Sequence, residues 1–285
     1  MREESDPKTT PIDSVLQALQ RTLKIARPLT ILDVETTGTD TKRDRVVEVA
    51  FSTVTQSGEV TNRKRLINPE EPIPAEATAI HDISDRDVVG EPTFRQIGRS
   101  LAEQLTGQDF VAYNHQFDRE ILTAEFERAG VPSPFKGPWI CPMQLWNEPS
   151  IHKLPVAFKR FTDSPPDKSK THEASYDVFM TAAVLAAQLR SPAETDPLPL
   201  SVIELARLSN EQHRSWLDAR GILMWHNGLP TFRMGKHAGK TLQEAAQTNR
   251  GFLRWALIDS DYEQDLKTII GNALDGEFPT RAPSR

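Results

Sequence analysis

The chain has 285 residues, a formal net charge of −6 at pH 7, 38% hydrophobic residues and 26% charged residues. This composition is ordinary for a globular protein and excludes a polybasic chain, so any phosphate contact must come from a local patch or a metal. The single cysteine, Cys141, excludes an intramolecular disulfide framework and a cysteine-cluster zinc site. No apolar run resembles a membrane span or a signal peptide, which predicts a cytoplasmic protein without membrane contact.

The first two thirds of the chain alternate between predicted strands and helices after a polar tail, residues 1–10. The predicted helices cover residues 12–23, 93–105, 117–129 and 174–189. The predicted strands cover residues 29–35, 45–55, 60–67 and 110–113, and residues 139–146 form a strand or turn that leads into a short helix. Because a hairpin precedes the alternating elements, we predict an α/β domain with a mixed sheet flanked by helices, over residues 11–190.

The last third predicts a smaller unit. Residues 191–200 hold three prolines and are typical of a linker. A helix-start pattern, Ser or Thr followed three residues later by Glu, occurs at Ser201, Thr241 and Ser260. We therefore predict a small, mainly helical module over residues 201–276 and a loose tail over residues 277–285. Trp225 and Trp255 are expected in its core rather than on a base-stacking surface.

Two carboxylates end the first predicted strand. Asp33 and Glu35 lie two residues apart, so both project from the same face of the strand. Adjacent carboxylates repel each other, but a hard divalent cation such as Mg²⁺ can bind to both. The alternative is a solvated strand end. The next residues, 36–38, form a turn in which Gly38 can adopt a positive φ angle.

Two further motifs bring additional acids and a histidine. Asn114 and Asp118 follow the short strand and lie four residues apart, so they share a helix face if the helix begins at once. Asp118 could instead be an ordinary first-turn acid that the helix dipole favours. His172 precedes the Ala-rich helix and Asp177 lies inside it, where a buried acid needs a partner. His172 alone could be a surface histidine.

Asp-x-Glu, then Asn-x-x-Phe-Asp, then His-x-Ala-x-x-Asp, in this order on an α/β frame, resembles the DEDDh (DnaQ-like) 3′→5′ exonuclease family. That family includes the proofreading subunit of bacterial DNA polymerase III and exodeoxyribonuclease X. The resemblance covers roughly residues 29–190. It implies a ribonuclease H-like fold and a two-metal mechanism with two Mg²⁺ ions, or Mn²⁺ in their place.

The resemblance also implies roles for individual residues. The metal ligands would be Asp33, Glu35, Asp118 and Asp177, and His172 would be the general base. The substrate-binding residues would be Thr36, Thr37, Gly38, His81 and Asn114. The family often has His-Gly-Ile where this chain has His81-Asp82-Ile83. Asp82 is therefore expected to add a negative charge close to the substrate phosphate.

A glycine-rich stretch in the last third, from Gly235 to Lys240, has three residues between Gly235 and Gly239 where a P-loop has four. It is similar instead to the C-terminal module of exodeoxyribonuclease X-like proteins. Lys236 and Lys240 make a local positive patch and are candidate substrate-binding residues. Alternatively, the glycines only shape a hairpin and the lysines are only solvated.

The predicted function is a metal-dependent 3′→5′ exonuclease that releases nucleoside monophosphates from single-stranded or frayed DNA 3′ ends. One alternative is a 3′→5′ exoribonuclease, and another is a non-catalytic, polymerase-associated subunit that binds nucleic acid. The expected partners are DNA 3′ ends, with RNA as the alternative, and a DNA polymerase or the repair machinery. The pattern predicts no particular oligomeric state.

Overall fold

The chain forms two compact units, of which the first extends to Ser209 and the second begins at Asn210. The computed structural model describes residues 10–145, 152–190, 201–214, 216–218, 221–233, 235–258, 260, 262 and 264–280. The predicted linker, residues 191–200, lies outside this part of the chain. The boundary differs from the predicted one because Val202, Leu205 and Ala206 belong to the core of the first unit.

The first unit contains a five-stranded mixed sheet. Its strands are β1 (Leu29–Thr36), β2 (Val46–Val54), β3 (Val60–Leu66), β4 (Asp109–Val111) and β5 (Trp139–Ile140). The order is β3-β2-β1-β4-β5, with β2 antiparallel to both β1 and β3, and with β4 parallel to both β1 and β5. Every residue of the apolar β2 is buried, whereas the polar β3 is an exposed edge strand.

Helices cover both faces of the sheet. They are α1 (Pro11–Thr22), α2 (Ala75–His81), α3 (Asp85–Val88), α4 (Phe94–Leu105), α5 (His115–Arg128), α6 (Pro142–Leu145), α7 (Leu154–Thr162), α8 (Ala174–Arg190) and α9 (Val202–Arg214). One core combines α1, α8 and the start of α9 with one face of the sheet. The other core combines α4 and α5 with the opposite face. This arrangement confirms the predicted α/β class and the ribonuclease H-like fold, while α2, α3 and α7 were not predicted.

The second unit pairs a hairpin with three helices. Its elements are β6 (Leu223–His226), β7 (Leu229–Phe232), a 3₁₀ turn (Gly235–His237), α10 (Leu242–Thr248), α11 (Arg250–Ile258) and α12 (Gln264–Leu274). The β6–β7 turn uses Asn227 and Gly228 with φ angles of 50° and 79°, as a tight hairpin requires. Thr241 caps α10 with Glu244 as predicted. The helix predicted to start near Ser260 begins at Gln264 instead.

The prediction that Trp255 lies in the core is wrong. The buried residues of α11 are Leu253 and Ala256, which lie three apart on one helix face. Trp255 falls outside this stripe and is 47% exposed. Trp225 is half-buried. Among the helices described in either unit, none is long and apolar enough to cross a membrane.

Candidate active site

Three carboxylates meet where β1 ends beside the first turns of α8. Leu29 and Ile31 of β1 belong to the core that α8 completes, so strand alternation directs Asp33 and Glu35 to the same face. Asp177 lies close to the start of α8. One oxygen from each of Asp33, Glu35 and Asp177 lies within 4.8 Å of the others. The structure thus brings together three residues from two distant sequence motifs.

Asp118 lies beside this group, in the first turn of α5, and is buried. Pairing between β1 and β4 ends at Ile31, which leaves later backbone groups of β1 available. The backbone groups of Asp118 itself and of Val34 lower the pKa of Asp118 against the effect of burial, which places this carboxylate close to β1. Asp118 is not within the three-carboxylate group, but its charge raises the pKa of Asp33 and Glu35.

Burial raises the pKa values of all four carboxyl groups, and neighbouring carboxylates raise them further. Burial is the largest cause in each case. The pKa of Glu35 rises to about 8, and those of Asp118 and Asp177 rise to about 7. The pKa of Asp33 rises well above its ordinary value, with Asp118 and Asp177 as the main neighbouring charges. Close carboxylates of this kind need either protons or a cation.

The donor set fits a hard divalent cation. Every candidate ligand is a carboxylate oxygen, which Mg²⁺ and related ions prefer. Oδ1 of Asp177 is buried and has no hydrogen-bond partner among the residues that the structure describes. A buried, unpaired anionic oxygen is costly unless a cation or proton satisfies it. Asp33, Glu35 and Asp177, with Asp118 beside them, are therefore suited to hold such an ion.

Glu48 is a fifth carboxylate that the sequence analysis did not identify. It lies on β2 directly opposite Glu35 and is buried. One of its oxygens is 3.2 Å from Nζ of Lys64, and the other accepts a 3.2 Å hydrogen bond from the Ala174 backbone N–H. Lys64 is also 3.1 Å from Glu173. A charged residue inside the apolar run of residues 46–51 was the signal that could have indicated this role.

His172 lies immediately before α8, and its side chain is exposed. Its backbone has a φ angle of 66°, in the left-handed region that residues other than glycine seldom adopt. The His172 backbone also lowers the pKa of the Asp177 carboxylate against the effect of burial, so the two residues are close. Strained conformations of this kind concentrate at functional sites. The predicted base is therefore held directly beside a predicted metal ligand.

His81 is a buried residue that forms a hydrogen bond with the end of β1. Its Nδ1 accepts a 3.1 Å hydrogen bond from Ile83 N–H, so Nε2 carries the hydrogen that it donates to the Thr36 carbonyl at 3.2 Å. His81 is buried, and burial lowers its pKa with a smaller effect from the charge of His172. Asp82 ends α2 in a left-handed conformation with a φ angle of 59°, and its side chain is exposed. A glycine adopts this conformation without strain, which explains why glycine suits this position.

The turn after β1 is held by internal contacts. The Thr37 hydroxyl accepts a 2.9 Å hydrogen bond from Arg45 N–H and donates one of 3.0 Å to Glu71. The Thr36 hydroxyl donates to the Gly38 carbonyl at 2.6 Å. A side chain on Gly38 would collide with the Asp44 carboxylate. Thr37 thus holds the turn through its hydroxyl, and Gly38 leaves room for the Asp44 carboxylate.

The remaining predicted substrate-binding residues are exposed. Asn114 precedes α5 in a left-handed conformation, and its side chain makes no capping hydrogen bond. Lys236 and Lys240 belong to the second unit, where Lys240 N–H donates a 3.0 Å hydrogen bond to the His237 carbonyl. The glycines here flank a 3₁₀ turn. The chain pairs on both sides of it, with an antiparallel bridge between Thr231 and Thr241 and a 2.9 Å hydrogen bond from Phe232 N–H to the Lys240 carbonyl, as the hairpin alternative expects.

A ribonuclease H-like sheet that presents clustered carboxylates and an exposed histidine defines a metal-dependent nuclease. The exonuclease family model (RNase_T) matches residues 30–185, which is more than half of the chain. The chain therefore belongs to this family, the DnaQ-like 3′→5′ exonucleases, and is a hydrolase with 3′→5′ exonuclease activity.

Individual relatives agree with this assignment. Exodeoxyribonuclease 10 of Escherichia coli K12 is 27% identical over 238 residues, which cover 82% of this chain and 92% of that protein. DNA polymerase III subunit epsilon of Treponema pallidum (strain Nichols) is 34% identical over 96 residues, covering 34% of this chain and 45% of the relative. The fold is similar to that of E. coli exonuclease I in complex with a dT13 oligonucleotide, with a TM-score of 0.50 and 15% identity over 67% of this chain and 46% of that one.

Proposed function

We propose that this exonuclease removes nucleoside monophosphates from single-stranded or frayed DNA 3′ ends by a two-metal mechanism with a histidine base. The observation that carries the proposal is the convergence of Asp33, Glu35 and Asp177, with an unpaired buried oxygen on Asp177. Asp118 adds a fourth carboxylate beside them. Four carboxylates offer enough oxygen ligands for two Mg²⁺ ions, or for Mn²⁺ in their place.

The chain's own residues have separate roles in this proposal. Asp33, Glu35, Asp118 and Asp177 hold the ions. When bound, the ions supply positive charge that offsets the charge of the scissile phosphate and makes the attacking water more acidic. His172 accepts the proton from that water, because a histidine can take up a proton near neutral pH and this one is exposed beside Asp177.

The 3′-terminal nucleotide contacts the turn after β1. We expect the backbone of Thr36 and Gly38 to contact it there beside their internal hydrogen bonds, and the exposed amide of Asn114 offers a further hydrogen-bonding group. Thr37 and His81 act by holding this turn, since their polar atoms are already used within the chain. Lys236 and Lys240, in the second unit, are exposed cations that bind substrate phosphates in this proposal.

DNA is the preferred substrate in this proposal. The alignment with exodeoxyribonuclease 10 covers 82% of the chain and therefore extends beyond residues 30–185. The name of that relative describes a deoxyribonuclease, and the aligned residues include part of the second unit. The similarity to a polymerase III epsilon subunit supports a role with a polymerase or the repair machinery, although that alignment covers only 34% of the chain.

Parallel digestion of DNA and RNA oligonucleotides of one sequence, labelled at the 5′ end, tests the proposal. The chain is expected to shorten the DNA stepwise from its 3′ end in the presence of Mg²⁺ and to act more slowly on the RNA. Asp33→Asn is expected to reduce the rate on the order of a thousandfold or more, because a metal ligand is worth several kcal/mol in the transition state. Glu103→Gln, which changes an exposed carboxylate on α4, is the matched control.

The outcomes separate the alternatives. Faster digestion of RNA identifies an exoribonuclease and contradicts the DNA preference. Undiminished digestion by Asp33→Asn contradicts the role of the carboxylates. Binding without digestion at every Mg²⁺ or Mn²⁺ concentration contradicts the catalytic mechanism.

A further inference from the structure

The second unit presents a row of aromatic rings that the active site does not use. The Trp255 ring stacks on Phe252, with centroids 6.0 Å apart and an angle of 29° between the rings. Phe252 in turn packs against the His237 ring, with centroids 4.2 Å apart. We refer to His237, Phe252 and Trp255 as the aromatic row. It runs from buried His237 through half-buried Phe252 to exposed Trp255.

Exposure of Trp255 is not required by the packing of α11. Leu253 and Ala256 already provide the buried stripe of this helix, and both are fully buried. A large aromatic side chain at the surface leaves apolar area in water, which is unfavourable unless a ligand covers it. Ile258, on the same helix, is 71% exposed and offers an aliphatic comparison.

Cations lie beside the aromatic row. Lys236 directly precedes His237, and Lys240 is joined to His237 by a backbone hydrogen bond. Both lysines are exposed, and their charges lower the pKa of His237 beyond the effect of burial. Arg254 is exposed next to Trp255. Glu244 also lies near Lys240, but its carboxylate is already engaged in the cap with Thr241.

Aromatic rings beside lysines and arginines are what proteins use to bind single-stranded nucleic acid. Each base has a flat apolar face that stacks on an aromatic side chain, while the cations neutralise the backbone phosphates. A partner protein could cover Trp255, but it would have no need of Lys236 and Lys240. Charge complementarity therefore favours a polyanionic ligand with flat rings.

We propose that the aromatic row is a binding site for single-stranded nucleic acid, in which a base stacks on Trp255 and the adjoining phosphates contact Lys236 and Lys240. The inference rests on the proposed function in one respect, namely that the bound strand is the substrate. The site is an accessory one, because no residue of the aromatic row belongs to the carboxylate cluster.

Binding without hydrolysis tests the proposal. The full-length chain is titrated in EDTA with a fluorescent oligothymidylate and with an abasic oligomer of equal length. Trp255→Ala is expected to weaken oligothymidylate binding roughly ten- to a hundredfold and to leave abasic binding unchanged, since only the bases stack. Trp255→Phe keeps a stacking face and is expected to retain most of the affinity.

Two further variants provide controls. Ile258→Ala removes an exposed aliphatic side chain from the same helix and should not change oligothymidylate binding. The double variant Lys236→Ala/Lys240→Ala should weaken binding of both oligomers and reduce its salt dependence, because fewer phosphates are neutralised. Melting temperatures of all variants show whether each chain is folded.

Three results would overturn the proposal. The first is that a folded Trp255→Ala chain binds oligothymidylate as tightly as the wild type. The second is that Trp255→Ala loses the same affinity for the oligothymidylate and for the abasic oligomer. The third is that the wild-type chain binds the two oligomers equally well. The first is also what a protein-docking role of Trp255 would produce. Failure of the proposed function gives a different result, namely a chain that does not digest DNA but still loses oligothymidylate binding with Trp255→Ala.

Discussion

The first unit buries carboxylates beside one another, whereas the second unit exposes the two lysines of its glycine-rich turn. Asp118 is buried and Glu35 nearly so, and their pKa values are raised to about 7 and 8. Lys236 and Lys240 are exposed on a short turn. Buried like charges oppose folding, while exposed cations cost almost nothing. The first arrangement therefore needs a rigid frame, and the second needs only a loop.

The frame of the first unit consists of hydrogen bonds between distant segments. Glu48 accepts a hydrogen bond from Ala174 N–H at the start of α8, and His81 donates one to the Thr36 carbonyl at the end of β1. Each bond holds a segment that carries a proposed catalytic group. A catalytic site needs this accuracy because small displacements of reacting groups reduce the rate strongly. Stacking and phosphate contacts tolerate more freedom.

Replacing His172 tests the catalytic side of this comparison and should have the largest effect. His172→Ala is expected to reduce the single-turnover rate of mononucleotide release by about 100- to 10,000-fold, the usual contribution of a general base. Oligothymidylate binding in EDTA should change little. His226→Ala, which removes an exposed histidine from the second unit, is the control and should keep the full rate. A loss of less than tenfold for His172→Ala argues against its role as the base.

Replacing Glu48 tests whether the frame matters beyond the metal ligands themselves. Glu48→Ala removes both the Lys64 ion pair and the acceptor for Ala174 N–H, and should lower activity about 10- to 100-fold, as is usual for groups that orient metal ligands. Glu48→Gln keeps an oxygen acceptor and should lose less. The rate is measured as a function of Mg²⁺ concentration for both variants. Equal losses would show that the hydrogen bond to α8 does not position the site.

Thermal unfolding at two pH values tests the cost of burying the carboxylates and should show the smallest effect. Because the pKa values of Glu35, Asp118 and Asp177 are raised on folding, the folded chain binds more protons than the unfolded chain between their ordinary and raised pKa values. These groups therefore lower the free energy of unfolding as the pH rises from about 4 to about 8. Without metal, the melting temperature should fall by a few degrees between about pH 6 and about pH 8.

Addition of Mg²⁺ should counteract the fall in melting temperature as the pH rises. The cation binds deprotonated carboxylates, so it should raise the melting temperature more at about pH 8 than at about pH 6. Asp33→Asn removes one charge from the cluster and should flatten the pH dependence in EDTA. An identical effect of Mg²⁺ at both pH values would contradict the assignment of these carboxylates as its ligands.

Local patterns predicted the parts of the fold that depend on near neighbours. Residues two apart on a strand share a face, which is why the spacing of Asp33 and Glu35 was enough to pair them. Glu48 could not be paired with Glu35 in this way, since the register between β1 and β2 contains a shift at Glu35 and Thr36. The unit boundary was also missed, because the proline-rich segment precedes a helix whose first residues pack on the first unit.

By itself, the sequence determined the class of fold, the order of the three motifs, and the carboxylates and histidine that are proposed to carry the chemistry. Only the tertiary structure decided which groups hold the surrounding segments in place, namely Glu48 at the start of α8 and His81 at the end of β1. It also decided that Trp255 faces solvent rather than the core. The physical reason is that strand and helix periodicity acts over a few residues, whereas burial and pairing depend on segments that are distant in the chain.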